Sequence, residues 1–169
     1  MIRAPDRELT SSGMNKKIIS SSRLAKLIRH LRKNRKSIVF TNGTFDLLHL
    51  GHVTYLAQAK KLGDVLIVGV NTDRSVKSYK GPKRPINPEG DRIRVLSALE
   101  CVDYVTLFDE PTPLALILKI KPDVLVKGAD WKKEQIAGAR KVESWGGKVR
   151  RIKFVPNRST TRLIQVLNA

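Results

Sequence analysis

Two histidines, His49 and His52, stand three positions apart after a glycine-containing turn. The run before that turn, residues 37–40, is largely apolar and is typical of a short buried strand. Residues 53–62 carry apolar side chains near helical spacing and predict a helix. The two imidazoles would therefore lie at the start of this helix and on one face of it. Imidazole N–H groups beside the positive end of a helix dipole suit a phosphate, particularly one whose charge grows during a reaction.

A metal site and an ordinary helix start are the alternatives for this histidine pair. The only other histidine is His30 and the only cysteine is Cys101, so no ligand set for a metal is predicted. A helix start with one surface histidine needs neither the glycine turn nor the second imidazole. The strand–turn–helix context therefore favours a phosphate site.

Composition limits the class of protein. The chain has 169 residues, 41% of them hydrophobic, which predicts a folded domain over residues 18–169 after a polar, disordered leader over residues 1–17. No apolar run is long enough to span a bilayer, and the single cysteine predicts a cytoplasmic protein. A net charge of +18 is compatible with nucleic acid, an anionic small substrate or solvated lysines. Without a nucleic-acid-binding motif, the charge favours steering of polyphosphates.

The chain alternates apolar runs with amphipathic segments. Strands are predicted at residues 37–40, 65–70, 102–108, 124–126 and 148–154, and helices at residues 23–34, 53–62, 91–99, 112–119, 133–144 and 160–167. This alternation predicts right-handed βαβ units and a parallel sheet that binds a ligand at its carboxyl edge. Residues 78–90 contain two glycines and three prolines and are predicted to form an irregular, mobile or ligand-gated basic loop.

Residues 43–52, Gly-Thr-Phe-Asp-Leu-Leu-His-Leu-Gly-His, resemble the G-x-F-D-x-x-H-x-G-H signature of the cytidylyltransferase-like nucleotidyltransferases. The resemblance extends over residues 36–167. Within it, residues 70–73, 84–89, 99–105 and 121–128 are similar to the heptose 1-phosphate adenylyltransferase branch. It implies an α/β fold: a Rossmann-like parallel sheet of about five strands with helices on both faces. It also implies transfer of AMP from ATP to a heptose 1-phosphate, with release of pyrophosphate and with Mg²⁺ carried by ATP. The product, ADP-heptose, would serve lipopolysaccharide or surface polysaccharide synthesis.

The resemblance implies a role for each matching residue. His49, His52 and Lys80 would be catalytic. The nucleotide would be bound by Asn42, Gly43, Thr44, Phe45, Gly51, Gly128, Asp130, Trp131, Ser159, Thr160 and Thr161. Asp46, Arg84 and Arg92 would bind the sugar phosphate.

Two departures from the wider family shape these expectations. No segment of sugar-kinase length is present, so the chain resembles the stand-alone adenylyltransferase rather than the bifunctional relatives. Glycerol-phosphate cytidylyltransferases carry an arginine where this chain has Phe154, which favours the adenylyltransferase reading over that alternative. A basic nucleic-acid-binding protein without turnover is the alternative from a different class. A homodimer or larger homo-oligomer is left open.

Overall fold

The structure is a computed structural model that describes residues 14–153, and within them the chain forms one parallel sheet flanked by helices. The five strands are β1 (Ile38–Gly43), β2 (Val65–Asn71), β3 (Tyr104–Phe108), β4 (Val124–Gly128) and β5 (Lys148–Ile152). Their order across the sheet is β3-β2-β1-β4-β5, and every pairing is parallel. This confirms the predicted α/β, Rossmann-like fold.

The described chain contains seven α-helices and one short 3₁₀ segment; the first two helices precede β1 and the others lie between strands. They are α1 (Met14–Lys17), α2 (Ser21–Lys33), α3 (Leu50–Lys60), α4 (Asp73–Lys80), α5 (Glu89–Ser97), α6 (Leu114–Ile120), the 3₁₀ segment Lys133–Gln135 and α7 (Ala139–Ser144). Among residues 14–153, none of these helices has the length and apolar character needed to cross a membrane.

The core has two layers, one on each face of the sheet. Side chains of a strand alternate between the faces, and β1 shows this directly. Ile38 and Phe40 pack into one cluster with apolar residues of α2, α6 and α7. Val39 packs into the other cluster with residues of α3 and α5. β1 is therefore covered by apolar layers on both faces, as expected for the central strand of a parallel sheet.

Three predicted segments are organised differently in the structure. Residues 133–144 do not form one helix, because Gly138 adopts φ +82° and separates the 3₁₀ segment from α7. Residues 78–90 are not wholly irregular, since α4 continues to Lys80 and α5 begins at Glu89. The last four residues of the predicted leader form α1, where the Lys17 ammonium donates to the backbone oxygen of Leu99. The rest of that leader, residues 1–13, and the predicted helix at residues 160–167 lie outside the described residues.

Gly138 offers a test of the broken helix. Gly138→Ala should lower the free energy of unfolding by about 1–3 kcal/mol, because φ is positive and a Cβ would lie 2.9 Å from Cδ1 of Ile117. Gly90→Ala is the matched control, because its Cβ would meet no atom within 4 Å and alanine favours the helix. Urea denaturation of both variants measures the difference. Equal stability of the two variants would contradict this account of the break.

Candidate active site

The strand order reverses at β1, which places a crevice at the carboxyl ends of β1 and β4. β1 pairs with β2 on one edge and with β4 on the other, so the chain runs from β1 outward to β3 and then returns to the other side of β1. Parallel α/β sheets bind ligands at such a switch point. A cavity of about 120 Å³ lies there. It is lined by Asn42, Gly43, Thr44, Phe45, His52, Tyr55, Lys127, Gly128 and Trp131.

The turn after β1 depends on a close approach between Gly43 and Phe45. A Cβ on Gly43 would lie 3.1 Å from the Phe45 ring, so glycine allows that ring to cover the backbone. The left-handed residue of the turn is Phe45, with φ +48°, although glycine is the residue that adopts such a conformation most readily. The Phe45 ring is buried and meets the His52 ring edge-on, with centroids 5.2 Å apart. The turn thus supports the second histidine directly.

The two histidines stack at the start of α3. His49 is the N-cap residue, and its backbone oxygen accepts hydrogen bonds from the N–H groups of His52 and Val53. The imidazole centroids of His49 and His52 are 3.9 Å apart and the ring planes differ by 21°. The helix begins three residues earlier than predicted, so Gly51 and His52 belong to its first turn. Among residues 14–153, the buried Nδ1 of His49 has no hydrogen-bond partner.

Both histidines are poor bases in this environment. The pKa of His52 is lowered to about 4, first by burial and then by its neighbour His49; the Leu47 backbone raises it and the charge of Lys80 lowers it further. Burial also lowers the pKa of His49. A neutral imidazole still has one N–H donor. At pH 7 the His52 ring is therefore neutral in the free protein and suited to donating a hydrogen bond to an anion.

The opposite wall of the crevice comes from the end of β4. Gly128 is buried and its backbone oxygen accepts a hydrogen bond from the N–H of Trp131. The Trp131 side chain is 46% exposed, which leaves a large aromatic face at the mouth of the cavity. Asp130 is also exposed beside it. An exposed indole beside a cavity suits stacking on a nucleotide base.

Lys80 approaches the histidines from α4. It is the last residue of that helix, and the neighbouring Tyr79 hydroxyl lies 2.6 Å from Oγ1 of Thr44. Partial burial lowers the pKa of the Lys80 ammonium, and the charge of Arg84 lowers it further. The segment that carries Lys80 is therefore a helix end tied to the turn after β1, whereas the sequence predicted a free loop.

Asp46 holds the following segment, residues 81–88, against the same turn. Its carboxylate accepts from the backbone N–H groups of Ile86 and Asn87 at 2.8 and 2.9 Å. It also pairs with Nη2 of Arg84 at 2.6 Å, and its side chain is only 1% exposed. Nε of Arg84 is buried and has no hydrogen-bond partner within residues 14–153. Arg84 therefore keeps a free donor, while both oxygens of Asp46 are committed to protein groups.

Arg92 is the most buried cation of the site, with a side chain that is 0% exposed. Its guanidinium donates to the backbone oxygens of Thr44, Asn71 and Asn87 and to the carboxylate of Asp73. Thr44 follows β1, Asn71 ends β2 and Asp73 begins α4. The fourth acceptor, Asn87, lies in the segment at residues 81–88. In this structure Arg92 and Asp46 therefore join the elements of the site, which favours a positioning role over the direct substrate contact that the resemblance implied.

The crevice brings together most of the residues that the sequence singled out. The turn at residues 42–45 and the end of β4 line one cavity, with the histidine pair and Lys80 beside it. Ser159, Thr160 and Thr161 lie outside the described residues. Sequence reasoning missed Lys127, Tyr55 and Tyr79. Lys127 had one usable signal, because it is a lone charge in an otherwise apolar strand.

The described residues offer no metal site built from side chains. Residues 14–153 contain no group of three or more histidines, cysteines, aspartates or glutamates that could hold a metal ion. The proposed reaction therefore uses no metal held by side chains of these residues.

Comparison with known proteins agrees with this geometry. Residues 40–166 match the cytidylyltransferase-like family. The bifunctional protein HldE of Methylobacillus flagellatus is 52% identical over 93% of this chain, and that of Geobacter metallireducens is 52% identical over 90%. The matches cover 32% and 31% of those two proteins, so the chain spans about a third of their length.

Two solved structures are similar as well. The lipopolysaccharide core biosynthesis protein from Thermoplasma volcanium is 33% identical, with a TM-score of 0.57, over 71% of this chain and 97% of that one. Pantoate-beta-alanine ligase from Francisella tularensis is 18% identical, with a TM-score of 0.56, over 89% of this chain and 76% of that one, which shows a shared fold.

The fold and the geometry of the crevice agree with the family match. The chain belongs to the cytidylyltransferase-like family. Its likeness to the bifunctional HldE proteins agrees with the adenylyltransferase branch indicated by the sequence segments.

The histidine pair generates a first activity prediction. His52→Ala should lower turnover by about two to three powers of ten, the usual effect of removing one donor to a transition-state anion. Affinity for the nucleotide should change much less, because the donor acts mainly as charge develops. Steady-state kinetics and direct nucleotide binding separate the two effects. His30→Ala is the control, since His30 is exposed on α2; near-normal turnover in His52→Ala would remove that residue from the chemistry.

Arg92 generates a second prediction. Arg92→Lys should lower the free energy of unfolding by about 1–3 kcal/mol and lower kcat more than it raises KM, because an ammonium cannot span the acceptors of a guanidinium. Urea denaturation and steady-state kinetics measure the two effects. Arg94→Lys, on the same helix with a 63% exposed side chain, is the matched control and should leave both quantities nearly unchanged. If Arg92→Lys and Arg94→Lys had the same stability and the same kinetic constants, Arg92 would not position the site.

Proposed function

We propose that this protein transfers AMP from ATP to a heptose 1-phosphate and releases pyrophosphate, giving ADP-heptose for lipopolysaccharide or surface polysaccharide synthesis. The observation that carries the proposal is the stacked pair His49–His52 at the start of α3, facing a crevice whose other wall ends in an exposed tryptophan. The likeness to bifunctional HldE proteins supports adenylyl transfer as the particular reaction.

Bond formation needs little from the protein beyond positioning and charge stabilisation. A phosphate oxygen of the sugar 1-phosphate attacks the α-phosphorus of ATP in line, the bond to the β-phosphate oxygen breaks, and pyrophosphate leaves with that electron pair. The sugar phosphate is already ionised at neutral pH, so no strong base is required. This fits a His52 whose lowered pKa of about 4 makes it a donor rather than a base.

The nucleotide would lie across the carboxyl ends of β1 and β4. Backbone groups of Asn42, Gly43, Thr44 and Phe45, with Gly51 in the first turn of α3, would surround its α-phosphate. Gly128, Asp130 and Trp131 would hold the base and ribose. Ser159, Thr160 and Thr161 stay predicted ligands of the β- and γ-phosphates. Mg²⁺ would be carried by these phosphates and by water.

The acceptor phosphate would meet the cations on the α4 side. Lys80 and Arg84 lie close enough for the charge of one to lower the pKa of the other. Arg84 keeps its buried Nε free within the described chain, and Asp46 neutralises only part of this charge. Two cations facing one carboxylate suit a phosphate monoester. Use of ATP also supports the predicted cytoplasmic location.

A pyrophosphate-release assay tests the proposal. Each of the four nucleoside triphosphates is paired with heptose 1-phosphate, glycerol 3-phosphate and ethanolamine phosphate, and ATP with heptose 1-phosphate should be strongly preferred. The His49→Ala/His52→Ala double variant is the blank. Preference for CTP with glycerol 3-phosphate would replace the proposal with the cytidylyltransferase alternative. Salt-dependent retention on DNA without pyrophosphate release from any pair would replace it with nucleic-acid binding.

A further inference from the structure

Lys127 lies at the switch point, at the carboxyl end of β4. It is the one partly exposed residue of β4, whose other four residues are buried. Its ammonium donates to the backbone oxygen of Asn42 at 3.3 Å, so it reaches across from β4 to the end of β1. It also lies 5.6 Å from the centre of the Trp131 ring. The side chain thus projects into the crevice from the floor formed by the two strands.

This cation has no balancing carboxylate in contact with it. Within residues 14–153 the structure gives it no ion pair, although the negative charge of Asp130 acts on it from the loop after β4. The other titratable groups around it are His52 and Tyr55 from α3, which line the same cavity, and Arg151, its register partner on β5. Burial lowers the pKa of Lys127 to about 8, and Asp130 only partly offsets that effect. A buried ammonium held by one carbonyl and an indole face lacks the anion that would stabilise its charge.

The cavity geometry indicates which part of a nucleotide would supply that anion. Lys127 lines the same cavity as Trp131, proposed to hold the base, and His52, proposed to hold the reacting phosphate. Its ammonium contacts both the indole and the end of β1, where the α-phosphate is proposed to lie. In a nucleoside triphosphate the group between the ribose and the leaving pyrophosphate is the α-phosphate. The buried Oδ1 of Asn42, which has no hydrogen-bond partner within the described chain, lines the same space and would accept from the Lys127 ammonium or from a sugar hydroxyl.

We propose that Lys127 is a further catalytic residue, whose ammonium binds the α-phosphate of the bound nucleotide on the side opposite Lys80. The inference rests on the proposed function. The two lysines would then place positive charge on both flanks of the phosphorus that is attacked. Packing of the lysine stem over Trp131, without any phosphate contact, is the competing explanation.

The proposal has a consequence that can be measured without turnover. An anion beside the ammonium raises its pKa, so ATP binding at a pH above 8 should draw a proton onto Lys127. As pH rises through the pKa of the free protein, the charged form becomes scarcer and binding weakens. From a pKa of about 8, affinity should fall by about four- to eightfold between pH 7.5 and pH 9.

Calorimetry of ATP binding without acceptor, in buffers of different ionisation enthalpy, measures both the affinity and the proton uptake. Above about pH 8 the terminal phosphate of ATP is fully ionised, so uptake reports on the protein. The wild type should take up about 0.4 to 0.8 proton at pH 9, which is the linkage that corresponds to a ten- to hundredfold preference of ATP for the charged lysine. Lys127→Met should abolish that uptake and weaken binding at pH 7.5 by about ten- to a hundredfold, the effect of losing one charged hydrogen bond.

Lys127→Arg and Lys132→Met complete the experiment. The arginine keeps its charge at pH 9, so affinity should lose its pH dependence while staying near the wild-type value. Lys132 is exposed on the neighbouring segment, and its replacement should leave both affinity and uptake unchanged. Thermal unfolding checks that each variant is folded.

Proton uptake that persists in Lys127→Met would assign the proton to another group, such as Lys80, and overturn the inference. Unchanged affinity in that variant would overturn it as well, in favour of packing against Trp131. Neither result would contradict the proposed function, which is tested separately by the pyrophosphate-release assay of the wild type. Absence of ATP binding by the wild type would overturn both.

Discussion

The pairing of β1 with β2 on one edge and β4 on the other is the constraint on which the site depends. The helix after β1 (α3) packs on one face of the sheet, and the helix after β4 (α7) packs on the other face. The carboxyl end of β1 is therefore left uncovered between them. In this protein that end is the turn from Asn42 to Phe45. The start of α3 and the end of β4 approach it from either side. The histidines, the tryptophan and the lysines therefore meet although they are far apart in the chain.

The positive charge around the turn after β1 is unusual because few carboxylates neutralise it. Lys80, Arg84, Arg92 and Lys127 surround the turn after β1, while Asp46 and Asp73 are the carboxylates that pair with them within the described chain. Burial lowers the pKa of both Lys80 and Lys127, which means that the protein bears a cost for each positive charge held there. A bound polyphosphate would offset that cost. The net charge of +18 thus has a local counterpart in a site whose cations an anion would stabilise.

The sequence predicted the sheet and much of the site because those features follow from local patterns. β2, with every residue buried, reads as a continuous apolar run, and the turn-and-histidine motif lies within ten residues. The break in the predicted helix at residues 133–144 was not predictable in this way, because it depends on Gly138 meeting Ile117 from a distant helix. The sequence did not predict that Asp46 and Arg92 are buried and join separate elements. Their partners are backbone groups that lie far apart in the chain, so no local pattern indicates these contacts. Lys127 acquires its meaning only when β4 is known to lie beside β1.

The contacts of Thr44 explain how these separate elements act as one site. Its hydroxyl bonds to Tyr79 at the end of α4, and its backbone oxygen accepts from Arg92 on α5. The residue that follows it, Phe45, supports the ring of His52. A shift of α4 or α5 would therefore move the turn, and with it the donors that are proposed to face the phosphate. Phosphoryl transfer depends on placing donors within a few tenths of an ångström rather than on a protein nucleophile, so rigidity of this turn would serve the proposed reaction directly. The same requirement for rigidity explains why Arg92 is buried between these elements rather than in the crevice, although burying a cation is costly. Three backbone carbonyls from different elements accept from it. A guanidinium is the side chain whose rigid set of donors can satisfy all three.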